Sequence, residues 1–181
     1  MTENHKAIAA VALIEVLYSG KSHYLLLQRS ERESDPWSGH LAFPGGRRDP
    51  SDNDLFDTCV RETREECGVQ LRKDDLLSLL PMAPAGRSHN QTIWVQPWWF
   101  RLAAFPELVL DPREISGSFW VSKSDILDSG QHRMHTPRPG LEFPGFSVGD
   151  RVLWGFTYGV LMRQLGLEPD SHYLRSQVND A

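Results

Sequence analysis

With two cysteines among 181 residues, the chain has no material for a disulfide framework. Cys59 and Cys67 lie two helical turns apart in a segment that reads as one helix, too distant to bridge each other. A reduced, cytoplasmic setting is the expectation. Basic residues are in deficit, 19 Lys and Arg against 24 Asp and Glu, for a net charge of -5. That balance removes the footing for nonspecific nucleic-acid binding. An anionic small molecule stays compatible, because local arginines or a bridging metal can overcome a mildly acidic average. No apolar run reaches the roughly 20 residues of a membrane span. The stretch from Ala7 to Ile14, after Lys6, has the look of a short signal-peptide core. Glu3 before it and Glu15 after it favour a buried first strand instead. Repeats, low-complexity tracts and dividing linkers are lacking too, so one domain over residues 1–181 is expected, with about the last 15 residues a flexible polar tail after Gly166.

What is present reads first as strands. Ile8 to Leu17, a turn at Ser19-Gly20-Lys21, and Tyr24 to Gln28 form an expected hairpin. A loop through Ser34-Asp35-Pro36 leads to Leu41-Ala42-Phe43, which ends at Pro44-Gly45-Gly46. Asp54 to Gly68 is the clearest helix. Phe56, Val60, Thr63 and Cys67 form its apolar stripe, with acidic and amide residues before it and Gly68 at its stop. Thr92 to Leu102 reads as a strand whose Pro97 marks an edge or bulge. Ser116 to Val121 reads as another, followed by a short helix capped near Ser122 or Ser124. Asp150 is placed as the cap of a last helix, Arg151 to Leu165, in which Gly155 and Gly159 leave gaps for a packing neighbour. Without regular βα alternation, these elements favour an α/β sandwich around a mixed sheet over a doubly wound fold.

Glu62, Glu65 and Glu66 are three and four residues apart and share one helix face beside the apolar stripe. Three like charges on one face destabilise an isolated helix, and a hard divalent cation removes that penalty through oxygen ligands. A solvated acidic face is the plainer account of the triad taken alone. The neighbouring residues Phe43-Pro44-Gly45-Gly46 and Arg61-Glu62-Thr63-Arg64-Glu65-Glu66-Cys67-Gly68-Val69 change the balance. Together they resemble the Nudix box, G-x5-E-x7-R-E-U-x-E-E-x-G-U, with U an apolar residue. Thr63 stands where that pattern has an aliphatic residue. The loop before Arg61 is one residue longer than the pattern, with Asp52 or Asn53 in place of its glutamate.

The resemblance implies a Nudix-type α/β/α sandwich around a mixed β-sheet and a pyrophosphohydrolase. It implies Mg²⁺ or Mn²⁺ held by Glu62, Glu66 and Glu65 against a diphosphate. It gives Arg61 the role of orienting the glutamates. Glu65 becomes the candidate that deprotonates the attacking water, with Glu114 on a later loop as the alternative base. Leu25-Leu26-Leu27-Gln28-Arg29-Ser30, then Gly39-His40-Leu41-Ala42-Phe43-Pro44-Gly45-Gly46, resemble the coenzyme A pyrophosphatase signature. The gap between Ser30 and Gly39 is one residue too long for it, and Asp35 replaces its arginine. The long loop from Gly46 to Asp52 and the segments Phe143-Pro144-Gly145-Phe146 and Leu153-Trp154-Gly155-Phe156-Thr157 agree with that group. The substrate implied is a small molecule with a diphosphate, coenzyme A or its thioesters. ADP-ribose, a nucleotide sugar or a dinucleotide polyphosphate is the second choice, and a non-catalytic nucleotide-sensing module the third. Main-chain groups at Gly45 and Gly46 would hold the phosphates, and Arg29, Arg32, Arg47 and Arg48 are candidates for a further phosphate. Taken alone, each arginine reads rather as a surface salt-bridge partner. The chain is expected to act as a monomer or homodimer, away from membranes and nucleic acid.

Three further features are weighed and set aside. His132-Arg133-Met134-His135 has the look of a metal or acid–base pair but reads as exposed loop. Trp94, Trp98 and Trp99 could stack a base, yet strand alternation favours packing. Cys59 and Cys67 also read as packing residues.

Overall fold

The computed structural model describes residues 6–32, 37–86 and 92–167. The loop through Asp35 and the expected tail lie outside the described residues. Two long strands begin the fold, β1 (Ala9–Tyr18) and β2 (Lys21–Arg29). Tyr18 faces Lys21, and Ser19 and Gly20, at φ 49° and 73°, make the left-handed two-residue turn that a tight hairpin needs. Beyond Glu15 and Tyr24 the two strands part. Into the gap goes the segment 41–47: β3 (Leu41–Ala42) takes the edge of β2, and β4 (Gly45–Arg47) takes the edge of β1. The Ala12 N–H donates to the Pro44 carbonyl at 2.8 Å and pins the wedge. This split sets the glycines over the next helix, α1 (Leu55–Cys67).

After α1 come β5 (Leu76–Leu79), β6 (Ala83–Ala85), β7 (Ile93–Leu102) and β8 (Ile115–Ser122). β7 runs parallel to β1 and antiparallel to β5 and β6, and β8 closes the far edge of β2, so the sheet is mixed. Pro97 is therefore inside the sheet and not at an edge. It is tolerated because it falls between the β5 and β6 pairings, where its carbonyl still accepts the Leu80 N–H.

The chain continues through α2 (Lys123–Ile126), capped by Ser122, to β9 (His132–Arg138), β10 (Leu141–Val148), β11 (Arg151–Trp154) and α3 (Gly155–Gln164). Strands β9 to β11 form a second antiparallel sheet. This corrects the expectation of a helix from Arg151. Val148 pairs with Arg151, so Gly149 and Asp150 are a hairpin turn, with Gly149 at φ 60°. Arg151-Val152-Leu153-Trp154 alternates between faces and suits a strand; the helix begins only after it, and Asp150 caps nothing. It also corrects the loop expected at His132 to His135. His132 accepts or donates at Tyr158 Oη (2.9 Å) and meets the Ile126 carbonyl (2.7 Å), tying β9 to α2 and α3.

The core lies on both faces of the main sheet. On one, Ala10, Ala12, Ile14, Leu25 and Leu27 pack against Cys59 and Cys67 of α1. On the other, Leu13 and Leu26 pack against Phe146, Leu153 and Leu161 of the second sheet and α3. Each fully buried Leu or Ile contributes about 2 kcal/mol. Glu15, the acid that interrupts the apolar run, is buried and satisfied by Ser22 Oγ, Trp99 Nε1 and Arg101. Trp98 packs edge-on against Phe56. No described helix is long and apolar enough to cross a membrane.

Candidate active site

Asp54 caps α1 by accepting the Asp57 N–H at 2.9 Å, and Gly68 ends it in the left-handed conformation, its N–H returning to the Arg64 carbonyl. The buried side of the helix runs through Cys59, Thr63, Glu66 and Cys67, while Phe56 and Val60 are only half-buried. The helix is thus rotated from the expected stripe, and the acid at 66 is inside. Thr63 is accommodated there because its hydroxyl donates to the Cys59 carbonyl at 2.7 Å.

Arg61 is the hub. Its Nε and Nη2 form a fork on Asp52, both at 2.9 Å. Nη1 donates to Glu62 (2.9 Å) and Glu65 (3.0 Å), and Nη2 also reaches the Arg47 carbonyl at 3.3 Å. All five N–H groups of the guanidinium are engaged. Asp52, 6 % exposed, also accepts from Thr58 Oγ1 and the Asp49 N–H. The Arg61 guanidinium holds its carboxyl well below the usual carboxylate range. The loop acid, doubtful from spacing, is here the anchor of the arginine.

Glu66, 3 % exposed, accepts the Gly45 N–H at 2.8 Å, and its other oxygen is 4.0 Å from Arg29. Burial pushes its carboxyl up to about 8, against the opposing pull of that N–H and of Arg29, with the Glu62 and Glu114 charges adding to the rise. Glu62 is raised as well, by burial first, although Arg61 opposes it. Glu114 belongs to a loop fixed from two sides. The Val109 and Asp111 N–H groups donate to the Cys67 and Glu66 carbonyls at the end of α1, and the Ser30 N–H at the end of β2 donates to the Glu114 carbonyl. Asp111 with its Arg113 fork stiffens this loop, and sequence reasoning missed it; the Asp111-Pro112-Arg113 turn was its only signal.

The other expected groups separate. Arg29 is brought to the glutamates. Arg47 contributes its carbonyl to Arg61, and its side chain is exposed. Arg48 donates to the Asp52 and Asn53 carbonyls and Arg32 to the Arg113 carbonyl, so both have structural partners. Among the described residues no three acidic or histidine side chains already enclose a metal. Glu65 is half-exposed and held by Arg61. The donor set of Glu62, Glu65 and Glu66 is nonetheless all carboxylate oxygen, which fits a hard divalent cation, and burial penalises the charged form of two of these acids, a cost that such a cation would offset.

The two glycines are required for different reasons. A Cβ on Gly45, at φ 142°, would lie 2.6 Å from the Val11 Cα and overlap the Ala10 carbonyl. Gly45→Ala is expected to cost about 3 kcal/mol in urea unfolding. A Cβ on Gly46 would lie 2.6 Å from the Glu62 carboxyl, the movable end of a side chain. Gly46→Ala should hold its stability within about 1 kcal/mol. Equal unfolding midpoints for the two variants would contradict this geometry.

The NUDIX domain model matches residues 7–140. The mouse mitochondrial coenzyme A diphosphatase NUDT8 is 38% identical over 157 residues, 83% of this chain and 73% of that protein. An uncharacterized fission-yeast protein, C14C4.10c of Schizosaccharomyces pombe, is 35% identical over 109 residues, 58% of this chain; the chain spans 33% of that protein's length. A MutT/nudix family protein from Enterococcus faecalis shares the fold, with a TM-score of 0.64 at 17% identity, over 92% of this chain and 63% of that one.

Proposed function

We propose, on the premise that this chain belongs to the Nudix family, that it hydrolyses the diphosphate of coenzyme A or its thioesters. The enzyme class, a pyrophosphohydrolase, goes with the family. The substrate is inferred from the resemblance of Leu25 to Gly46 to the coenzyme A group and from the name of the mouse relative. The observation that carries the site is Glu66, a buried carboxylate under the Gly45 N–H, with Glu62 and Glu114 within electrostatic reach.

Nudix hydrolases generally use divalent metals, and Glu62, Glu65 and Glu66 would hold Mg²⁺ or Mn²⁺ here. A bound ion supplies Lewis-acid polarisation of the diphosphate. Arg61 positions Glu62 and Glu65 through charge-assisted bonds and keeps no N–H for substrate. Arg29, Arg47 and main-chain groups at Gly45 and Gly46 face the phosphates in this proposal. Glu65 or Glu114 takes a proton from water as its oxygen bonds to phosphorus and the bridging P–O bond breaks. The products are 3′,5′-ADP and 4′-phosphopantetheine or its acyl form. For the compartment the proposal is the cytoplasm, resting on two buried, unpaired thiols.

A second reading, cleavage of ADP-ribose, a nucleotide sugar or a dinucleotide polyphosphate, is favoured by the extra residue between Ser30 and Gly39 and by Asp35. Incubation with Mg²⁺ or Mn²⁺ and a panel of these compounds, with products identified by mass, separates the two. Coenzyme A is expected to give 3′,5′-ADP. Survival of coenzyme A while ADP-ribose is consumed would transfer the assignment to the second reading.

A further inference from the structure

Beside the glycine wedge is a group of rings that the diphosphate chemistry does not use. Trp154, the last residue of β11, packs on the buried Phe143, with ring centroids 5.1 Å apart. His40 meets it edge-on at 4.7 Å, and His135 of β9 meets it at 5.3 Å. These two imidazoles and the indole are half-exposed, so three rings from three separate parts of the chain converge at the surface. The cluster is continuous with the site. The His40 carbonyl accepts the Arg29 N–H at 3.0 Å, and the Arg29 side chain is the one that approaches Glu66. Five residues after His40 the chain reaches Gly45, whose N–H holds Glu66. Among the described residues a Cβ on Gly155 or Gly159 would meet nothing within 4 Å, contrary to the packing neighbour expected at those glycines.

We propose that His40, His135 and Trp154 form a stacking platform for the purine base of the substrate's nucleotide half. In this proposal phosphates at Gly45 and Arg29 bring the nucleoside toward His40, the first surface ring along that path because Phe43 is buried. A flat π-system is the ligand that rings of this kind take best, and stacking tolerates the absence of a fixed hydrogen-bonding code. Burial and the nearby Arg133 lower the His135 pKa, which favours the neutral imidazole. The exposed Arg133 offers a charge at the rim. The platform rests on the diphosphatase reading of the neighbouring site, but it is tested apart from turnover.

The test is proton NMR of the histidine Cε1–H resonances, assigned with His40→Asn and His135→Asn. AMP is added to the unaltered protein, with ribose 5-phosphate and 4′-phosphopantetheine in parallel. AMP is expected to shift both resonances upfield in a saturable way, and ribose 5-phosphate to leave them in place. Trp154→Leu should weaken AMP binding about tenfold or more, and Trp154→Phe should restore most of it. Should Trp154→Leu fail to fold, the titration of the unaltered protein still decides. AMP leaving both resonances unmoved would overturn the platform, even in an enzyme that cleaves coenzyme A. So would movement by 4′-phosphopantetheine alone. Shifts with AMP in a protein that spares coenzyme A would support the platform and count against the substrate instead.

Discussion

Glu66→Gln is expected to lower turnover by roughly a hundredfold or more while raising the thermal midpoint of the metal-free protein at pH 8. The two effects have one cause. The carboxyl is buried, and burial pushes it up to about 8 in the folded chain. An unfolded chain releases that proton near pH 4.3. Stability from this group is therefore full below about pH 4.3 and is lost as pH rises toward 8, where the folded form must ionise a buried acid with Arg29, 4.0 Å away, as a distant counter-charge. A glutamine has the same shape, can keep the Gly45 N–H bond through its carbonyl, and ionises at no pH. The gain is on the order of 3 kcal/mol at pH 8 and close to nothing at pH 4, a difference that reads as several degrees in the midpoint. Thermal scans at both pH values, with chelator present, check it. A variant that is less stable than the parent at pH 8 would mean that Glu66 is stabilised as an anion by the fold itself. Its function as a cation ligand would then lose its physical ground.

Arg61→Met should be the most damaging single change outside the apolar core. It strips the fork from Asp52, a buried carboxylate whose remaining partners, Thr58 and the Asp49 N–H, are neutral. An unpaired buried charge costs about 3 kcal/mol or more. It also frees Glu62 and Glu65, which the same guanidinium holds in place. Turnover should therefore fall about a hundredfold even where the fold persists at low temperature. The pH behaviour has the opposite sign to that of Glu66. Because Arg61 depresses the Asp52 pKa, the pair contributes stability above the unfolded value near 3.9, lost as pH falls through the depressed folded value. Arg61→Met loses that contribution, and its acid transition moves to higher pH. Circular dichroism along an acid titration measures the shift. Arg61→Lys keeps the charge without the fork and should recover only part of either loss.

Much of this arrangement is legible in the chain because it is local. Helix α1 shows capping residues in Asp52, Asn53 and Asp54, its stop at Gly68 and its acids at helical spacing, and in the structure Asp54 is the cap. The hairpin of β1 and β2 is equally plain, since a near-continuous apolar run and a Ser-Gly turn are short-range signals. The second sheet is not. Strands β9 to β11 contain Pro137, Pro144 and Gly145, and their pairing depends on packing against Leu13 and Leu26, far away in sequence. Arg151 to Trp154 merges with the helix that follows because Val, Leu and Trp suit either element. The rotation of α1 that buries Glu66 is likewise absent from a helical wheel, which counts a glutamate as polar; the N–H of Gly45 and the nearby Arg29 make that position tenable. Asp52 is hidden for a related reason. Its role is set by where the Arg61 fork lands, and not by the count of residues from the glycines.

In the proposed site the glutamates of α1 hold the divalent ion. Mn²⁺ binding followed by electron paramagnetic resonance reads this without any substrate. The signal of free Mn²⁺ should fall as the unaltered protein is added at pH 8, and Glu66→Gln and Glu62→Gln should each weaken that binding about tenfold or more. Mn²⁺ bound equally well by the unaltered protein and by both variants would contradict the account and remove the metal from this helix.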